Sequence, residues 1–240
     1  MMENLKEALE YMVKLGEDRV DVIEIDGTYY TNKSLQRIDE NLDLDCLRIS
    51  TLSGLVDYIK SDVDKENWLN LLIVVKSPTE ISVEKGLDID GKRRKVAFVN
   101  ALTPRINFNH YYDTESFNIL LQSAFVENVH RGVLLKVVGN IKEETIQSIG
   151  DDGISQAATI KTGVATVEDV KIPNPVILVP RRTFVEVEQP ESQFVFRMQS
   201  GPTCALFEAD GGAWRNEAMS NIKKYLETNL KDINGITIIS

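Results

Sequence analysis

Leu5, Ala8, Leu9, Met12 and Val13 recur at the i, i+3, i+4, i+7, i+8 spacing of one helical face. That pattern predicts an amphipathic helix over about residues 3–15, ended near Gly16. Val20 to Ile25 reads as a strand, Asp26-Gly27 as a two-residue hairpin turn and Thr28 to Thr31 as the returning strand. Cys46 to Ile49 is a short strand, after which Ser50 or Thr51 caps a helix with Leu52, Leu55, Val56 and Ile59 on its apolar face. Leu69 to Val75 is apolar enough for a central strand. Ser77-Pro78-Thr79 turns the chain into the alternating Glu80 to Val83, and Lys95 to Leu102 completes a small sheet covered by at least one helix.

Asp113 or Thr114 caps the next helix, whose face is Phe117, Leu120, Leu121 and Ala124. Val129 to Val138 fits either a helix or a buried strand, since a short apolar run has no telling period. From about Ile154 the texture turns to strands: Ala157 to Lys161, Val164 to Val170, and Val176 to Val179. Thr183 to Glu188 and Gln193 to Met198 alternate at period two around Gln189-Pro190-Glu191-Ser192, which predicts a hairpin. Cys204 to Glu208 is a further strand. Asp210-Gly211-Gly212 opens a helix striped by Trp214, Ala218, Ile222, Tyr225, Leu226 and Leu230, and Ile236 to Ile239 closes the chain as a strand. The order predicts an α+β fold with mixed or antiparallel sheets, a β-rich C-terminal half and a C-terminal amphipathic helix. One domain spans 1–240, with subregions at 1–110 and 111–240; Pro173-Asn174-Pro175 is a break between strands and too short for a linker.

Composition adds mainly exclusions. The net charge of −10 opposes diffuse binding to nucleic acid, so such binding needs a local basic patch. No run reaches the roughly eighteen apolar residues of a membrane helix, and the acidic, mixed start Met1 to Glu7 is no signal peptide. A cytoplasmic protein is expected. Two cysteines, Cys46 and Cys204, are expected as reduced core residues.

Candidate chemistry is sparse. His110 and His130 sit in no metal-ligand spacing, and no GxSxG, SxxK or phosphate-loop pattern occurs. No catalytic residue, cofactor site or metal site is assigned. Gly150-Asp151-Asp152-Gly153 could hold a cation but is more simply a polar turn. Gly211 and Gly212 at a helix start offer anion-binding geometry, opposed by Glu208 and Asp210; there Asp210 is expected to cap the helix. Lys92, Arg93, Arg94 and Lys95 form the strongest basic run and Arg181-Arg182 a lesser one, and together they would make an anion or partner surface if adjacent.

Several stretches carry a resemblance: Thr51 to Lys60, Val75 to Glu80, Leu121 to Phe125, Gly139 to Ile141, Asp151 to Gln156, Pro173 to Val176 through Arg182 to Ser192, and Glu208 to Trp214. They resemble an uncharacterised protein family of phages and prophages of Gram-positive bacteria, distantly similar to the YfdQ-like prophage family. The resemblance implies a non-structural protein of the infected or lysogenic cell and no particular activity. The expectation is a non-enzymatic homo-oligomeric binding protein, its partner a host defence protein or a small anionic ligand. Two alternatives stand beside it: an accessory of phage DNA metabolism binding single strands near Lys92–Lys95, and a metal-dependent enzyme acting on nucleotides.

Overall fold

The computed structural model describes residues 2–17, 22–25, 28–31, 46–61, 63–64, 70–87, 91–139, 150–151, 156–162, 166–199, 201 and 203–240. They divide into two units, Met1–Asp45 and Cys46–Ser240. In the first, α1 (Met2–Glu17) precedes a hairpin of β1 (Val22–Ile25) and β2 (Thr28–Thr31). Ile25 pairs with Thr28, which leaves two residues for the turn, as the Asp-Gly pair predicts; the turn residues lie outside the described set.

The second unit opens with β3 (Leu47–Ile49), α2 (Leu52–Ser61), β4 (Leu71–Ser77), β5 (Glu80–Leu87) and β6 (Arg93–Asn100). Thr51 caps α2: its Oγ1 accepts the Gly54 N–H at 3.1 Å. A Cβ on Gly54 would lie 2.8 Å from that oxygen, so glycine is the residue that fits the cap. Leu52, Leu55, Val56 and Ile59 are all buried, as their spacing predicts.

The middle of the unit holds β7 (Tyr112–Asp113), α3 (Thr114–Ala124), α4 (Val129–Gly139), β8 (Gly150–Asp151), β9 (Gln156–Thr162), β10 (Thr166–Lys171) and β11 (Val176–Leu178). Asp113 caps α3 by accepting the Ser116 N–H at 2.8 Å. The ambiguous run at 129–138 is helical, and it buries Leu134, Val137 and Val138 at i, i+3, i+4. The chain closes with β12 (Ser192–Gln199), β13 (Thr203–Glu208), α5 (Trp214–Leu230) and β14 (Ile236–Ile239).

Two larger sheets organise the unit. A five-stranded mixed sheet has the order β14-β4-β5-β6-β3, with β14 parallel to β4 and β3 parallel to β6. Against it α2 and α5 bury one core, centred on Ile73, Val75, Ile81 and Val83. A four-stranded antiparallel sheet, β11-β12-β13-β7, packs with α3 and α4 around Phe117, Phe125, Phe194 and Phe196. β8, β9 and β10 form a small antiparallel sheet. The fold is α+β. No helix among the described residues is long and apolar enough to cross a membrane.

Three local expectations are corrected. Thr183 to Glu188 is not a strand and makes no hairpin with 193–198, because β12 already pairs with β11 on one edge and β13 on the other. Asp210 does not cap α5: the helix starts at Trp214 after Ala213, and Asp210 closes the preceding turn instead. Of the two free cysteines only Cys204 is buried; Cys46 is half-buried at the start of β3.

Candidate functional site

Between β11 and β12 the chain belongs to no named strand: an isolated bridge pairs Pro180 with Phe125, and from Arg182 onward side chains do most of the holding. Gln189 does most of this: its Oε1 accepts the N–H groups of Arg182 and Thr183, and its Nε2 donates to the carbonyls of Phe184 and Val187. Thr183 Oγ1 donates to Pro78 O at 2.5 Å, tying the loop to the β4–β5 turn. Phe184 is buried in the first core. The period-two alternation of the sequence thus records a loop with one deep anchor, while Val185 stays 71% exposed.

This loop delivers Arg182 to the interior, where the residue is 9% exposed. Nη1 donates to Glu208 Oε1 at 2.6 Å. Nη2 donates to Ser192 Oγ and lies 4.0 Å from Asp210 Oδ2. The Ser192 hydroxyl passes the chain on, donating to Asp210 Oδ2 at 2.6 Å. The guanidinium carbon lies over Trp214, 3.7 Å from the ring centroid. Burial pulls its pKa down to about 10, against the raising pull of Glu208 and Asp210, so it stays charged at neutral pH. The cluster joins the antiparallel sheet, through Ser192 and Glu208, to the start of α5, which packs on the mixed sheet.

Gly211 and Gly212 lie at φ 62° and 82°, left-handed values that glycine adopts freely. They let the chain turn from β13 into α5 within a few residues. The Gly212 N–H that could serve an anion donates to Asp210 Oδ1 at 3.0 Å. A carboxylate of the protein therefore already occupies the anion position predicted from the sequence.

Over this cluster lies an open groove of about 500 Å³, lined by Glu191, Ser192, Gln193, Asp210, Trp214 and Glu217 with Ile177, Ala209 and Ala213. Asp210 is engaged with Ser192 and Arg182, whereas Glu191 and Glu217 have no ion pair among the described residues. Arg182 and Arg215 already hold their guanidinium groups 3.7 and 5.4 Å from the Trp214 ring centroid, so the preference of the groove for a cation rests on Glu191 and Glu217.

The remaining sequence candidates lie elsewhere. Arg181 is exposed at the loop's start, its N–H donating to Ala124 O. Lys92 to Lys95 lie at the β5–β6 end of the mixed sheet. Thr183 holds the Pro78 turn beside Glu80, which pairs with Asn100, while Arg93 pairs with Leu87. Seven positions of β5 separate the two ends, about 23 Å at roughly 3.3 Å per residue. The two basic groups therefore do not form one surface. Lys95 and Lys76 instead hold their ammonium groups 5.2 and 5.3 Å from the Phe98 ring centroid. His130 Nδ1 accepts the Ile177 N–H at 2.8 Å, and His110 meets Tyr112 edge-on. Asp151 lies on β8, with Asp152 and Gly153 outside the described residues. Among the described residues no group of three or more His, Cys, Asp or Glu side chains could hold a metal ion.

Arg182, Gly211 and Gly212 are the predicted residues that the fold brings together. Ser192, Gln189, Trp214, Glu191 and Glu217 join them from a span in which no fixed spacing signals a site. In comparisons with known proteins, no family model, no curated protein and no solved structure matches this chain.

Proposed function

We propose that the chain is a non-enzymatic, phage-encoded binding protein that works as a homo-oligomer in the host cytoplasm and holds a lysine or arginine side chain of a protein partner in the groove over Trp214. The observation that carries this is that Glu191 and Glu217, without an ion pair among the described residues, line one groove together with Ser192, Asp210 and Trp214 of the Arg182 cluster. In the phage setting implied by the resemblance, the partner is a host protein and the role is to counter a host defence system. The test is affinity capture from phage-infected cells with the wild-type chain and the Glu191→Gln/Glu217→Gln double variant. A host protein held by the first and lost by the second supports the proposal; equal retention by both rejects the groove.

A second reading is favoured by one specific contact. Lys76 and Lys95 flank Phe98, and Arg48 is the register partner of Phe98 on the neighbouring strand. Cations around an aromatic ring are the elements of a single-strand nucleic-acid surface. The overall charge of −10 works against it. A mobility-shift assay at low salt decides this: no shift at micromolar protein removes the reading, and a shift abolished by Phe98→Ala with Lys95→Ala sustains it.

A further inference from the structure

The helix of the first unit carries an unusually wide apolar face. At about 100° per residue, Leu5, Leu9, Tyr11, Met12, Val13 and Leu15 occupy one arc of about 200°. The charged positions Glu3, Lys6, Glu7, Glu10, Lys14 and Glu17 fall in the remainder. All six apolar side chains are more than half exposed. Among the described residues of the unit, little covers them. Its other described elements are the two four-residue strands of one hairpin, a structure marginal by itself, and Val22 and Tyr30 on that hairpin are exposed too. Residues 1–45 contain no cysteine for a disulfide staple.

We propose that α1 is the assembly element of the protein, packing its Leu5, Leu9, Met12 and Leu15 face against the α1 helices of at least two further copies. This rests on the homo-oligomer reading above and is independent of the groove. The width of the face sets the number of copies. A two-helix seam covers a narrow stripe and would leave Tyr11 and Val13, the two ends of the arc, in water; a bundle of three or more covers the flanks as well. The six side chains offer on the order of 500 Å² of apolar surface, which approaches the roughly 800 Å² each partner gives to a stable interface. The charge pattern selects a like copy over a lipid surface. Membrane-surface helices carry a polar face rich in Lys and Arg, whereas this one sets four glutamates against two lysines, Lys6 lying 3.7 Å from Glu10.

The test is light scattering on the full chain, wild type and Leu9→Glu/Met12→Glu, over a range of concentrations. Protection of the Cys204 thiol reports that the second unit stays folded. The wild type is expected at the mass of three or more chains, and the variant at the mass of one with Cys204 still protected. The milder Leu9→Ala/Met12→Ala variant, which keeps helix propensity, is expected to assemble but to fall apart on dilution. A wild-type monomer overturns both this inference and the oligomer reading. A wild-type dimer overturns the bundle, and an oligomer that survives the double glutamate change overturns this inference alone. Cosedimentation of a monomeric wild type with phosphatidylserine vesicles would assign the face to lipid instead.

Discussion

The Arg182 guanidinium lies 3.7 Å from the centroid of the Trp214 ring, with Glu208, Ser192 and Asp210 around its edge. Phe108 and Phe194, themselves stacked at 5.1 Å, stand 5.8 Å away. A buried cation is tolerated here because carboxylates, a hydroxyl and an aromatic face replace its water. Removing it would leave the buried Ser192 hydroxyl without its donor and Glu208 and Asp210 without their counter-charge. Arg182→Met is expected to cost about 1–3 kcal/mol, less than the loss of one partner of a fully buried pair because the Glu208 side chain is 31% exposed. Arg182→Lys should cost less but remain destabilising, since a point charge cannot reach Glu208 and Ser192 together. Urea unfolding measures both; a Met variant as stable as the wild type would contradict the role given to this cluster.

Gln189 spans the loop with four hydrogen bonds to backbone groups. Gln189→Ala is expected to cost about 1–3 kcal/mol by leaving partly buried N–H and C=O groups unpaired. Gln189→Glu keeps the two accepted bonds and loses the two donated ones, so its cost should be intermediate. Faster amide exchange at Arg182 and Thr183 in the Ala variant is the accompanying signature, and unchanged exchange there would argue against it.

Acid should weaken the fold through Asp210. Burial acts to raise its carboxyl, but the Ser192 hydroxyl, the Gly212 N–H and Arg182 prevail and hold it below the ordinary carboxylate range. A carboxyl lowered on folding stabilises the native state above its unfolded value, and that stabilisation disappears as pH falls through the folded value. Stability is therefore expected to drop on acidification below about pH 4. Asp210→Asn should be less stable at neutral pH and show a shallower acid decline. Parallel unfolding curves near neutrality and in acid compare them; identical acid slopes would refute the assignment.

Thiol reactivity separates the two cysteines. Burial pushes the Cys204 thiol up to about 12, whereas Cys46 is half-buried at a strand start. A thiol reagent is expected to modify Cys46 in the native protein and both residues after unfolding, since the thiolate is the reactive form. Native modification of Cys204 would show that the second core opens more readily than its packing implies.

Much of the fold was legible along the chain because local periodicity matched final burial. Leu52, Leu55, Val56 and Ile59 entered the core as their spacing predicts, and Asp113 capped its helix. The failure at Thr183 to Glu188 has a tertiary cause. Alternation marks a strand only where a neighbouring edge is free, and β11 and β13 had taken both edges of β12. The candidate site was legible only in fragments. Arg182 and Gly211-Gly212 drew notice as a basic pair and a glycine turn, but nothing linear shows that the arginine would point inward onto Trp214. Glu191 and Glu217 lie 26 positions apart and line one groove only because the fold brings the start of β12 and the first turn of α5 to it.

The groove is tested most directly by Trp214 itself. Trp68 is the other tryptophan, so a Trp68→Phe background leaves one fluorophore beside the proposed site. Titration with a short arginine-containing peptide is expected to change its emission saturably. Adding Glu191→Gln and Glu217→Gln should weaken that binding by about tenfold or more, ~1.4 kcal/mol. No emission change at millimolar peptide, or equal affinity in the glutamine variant, would contradict the account.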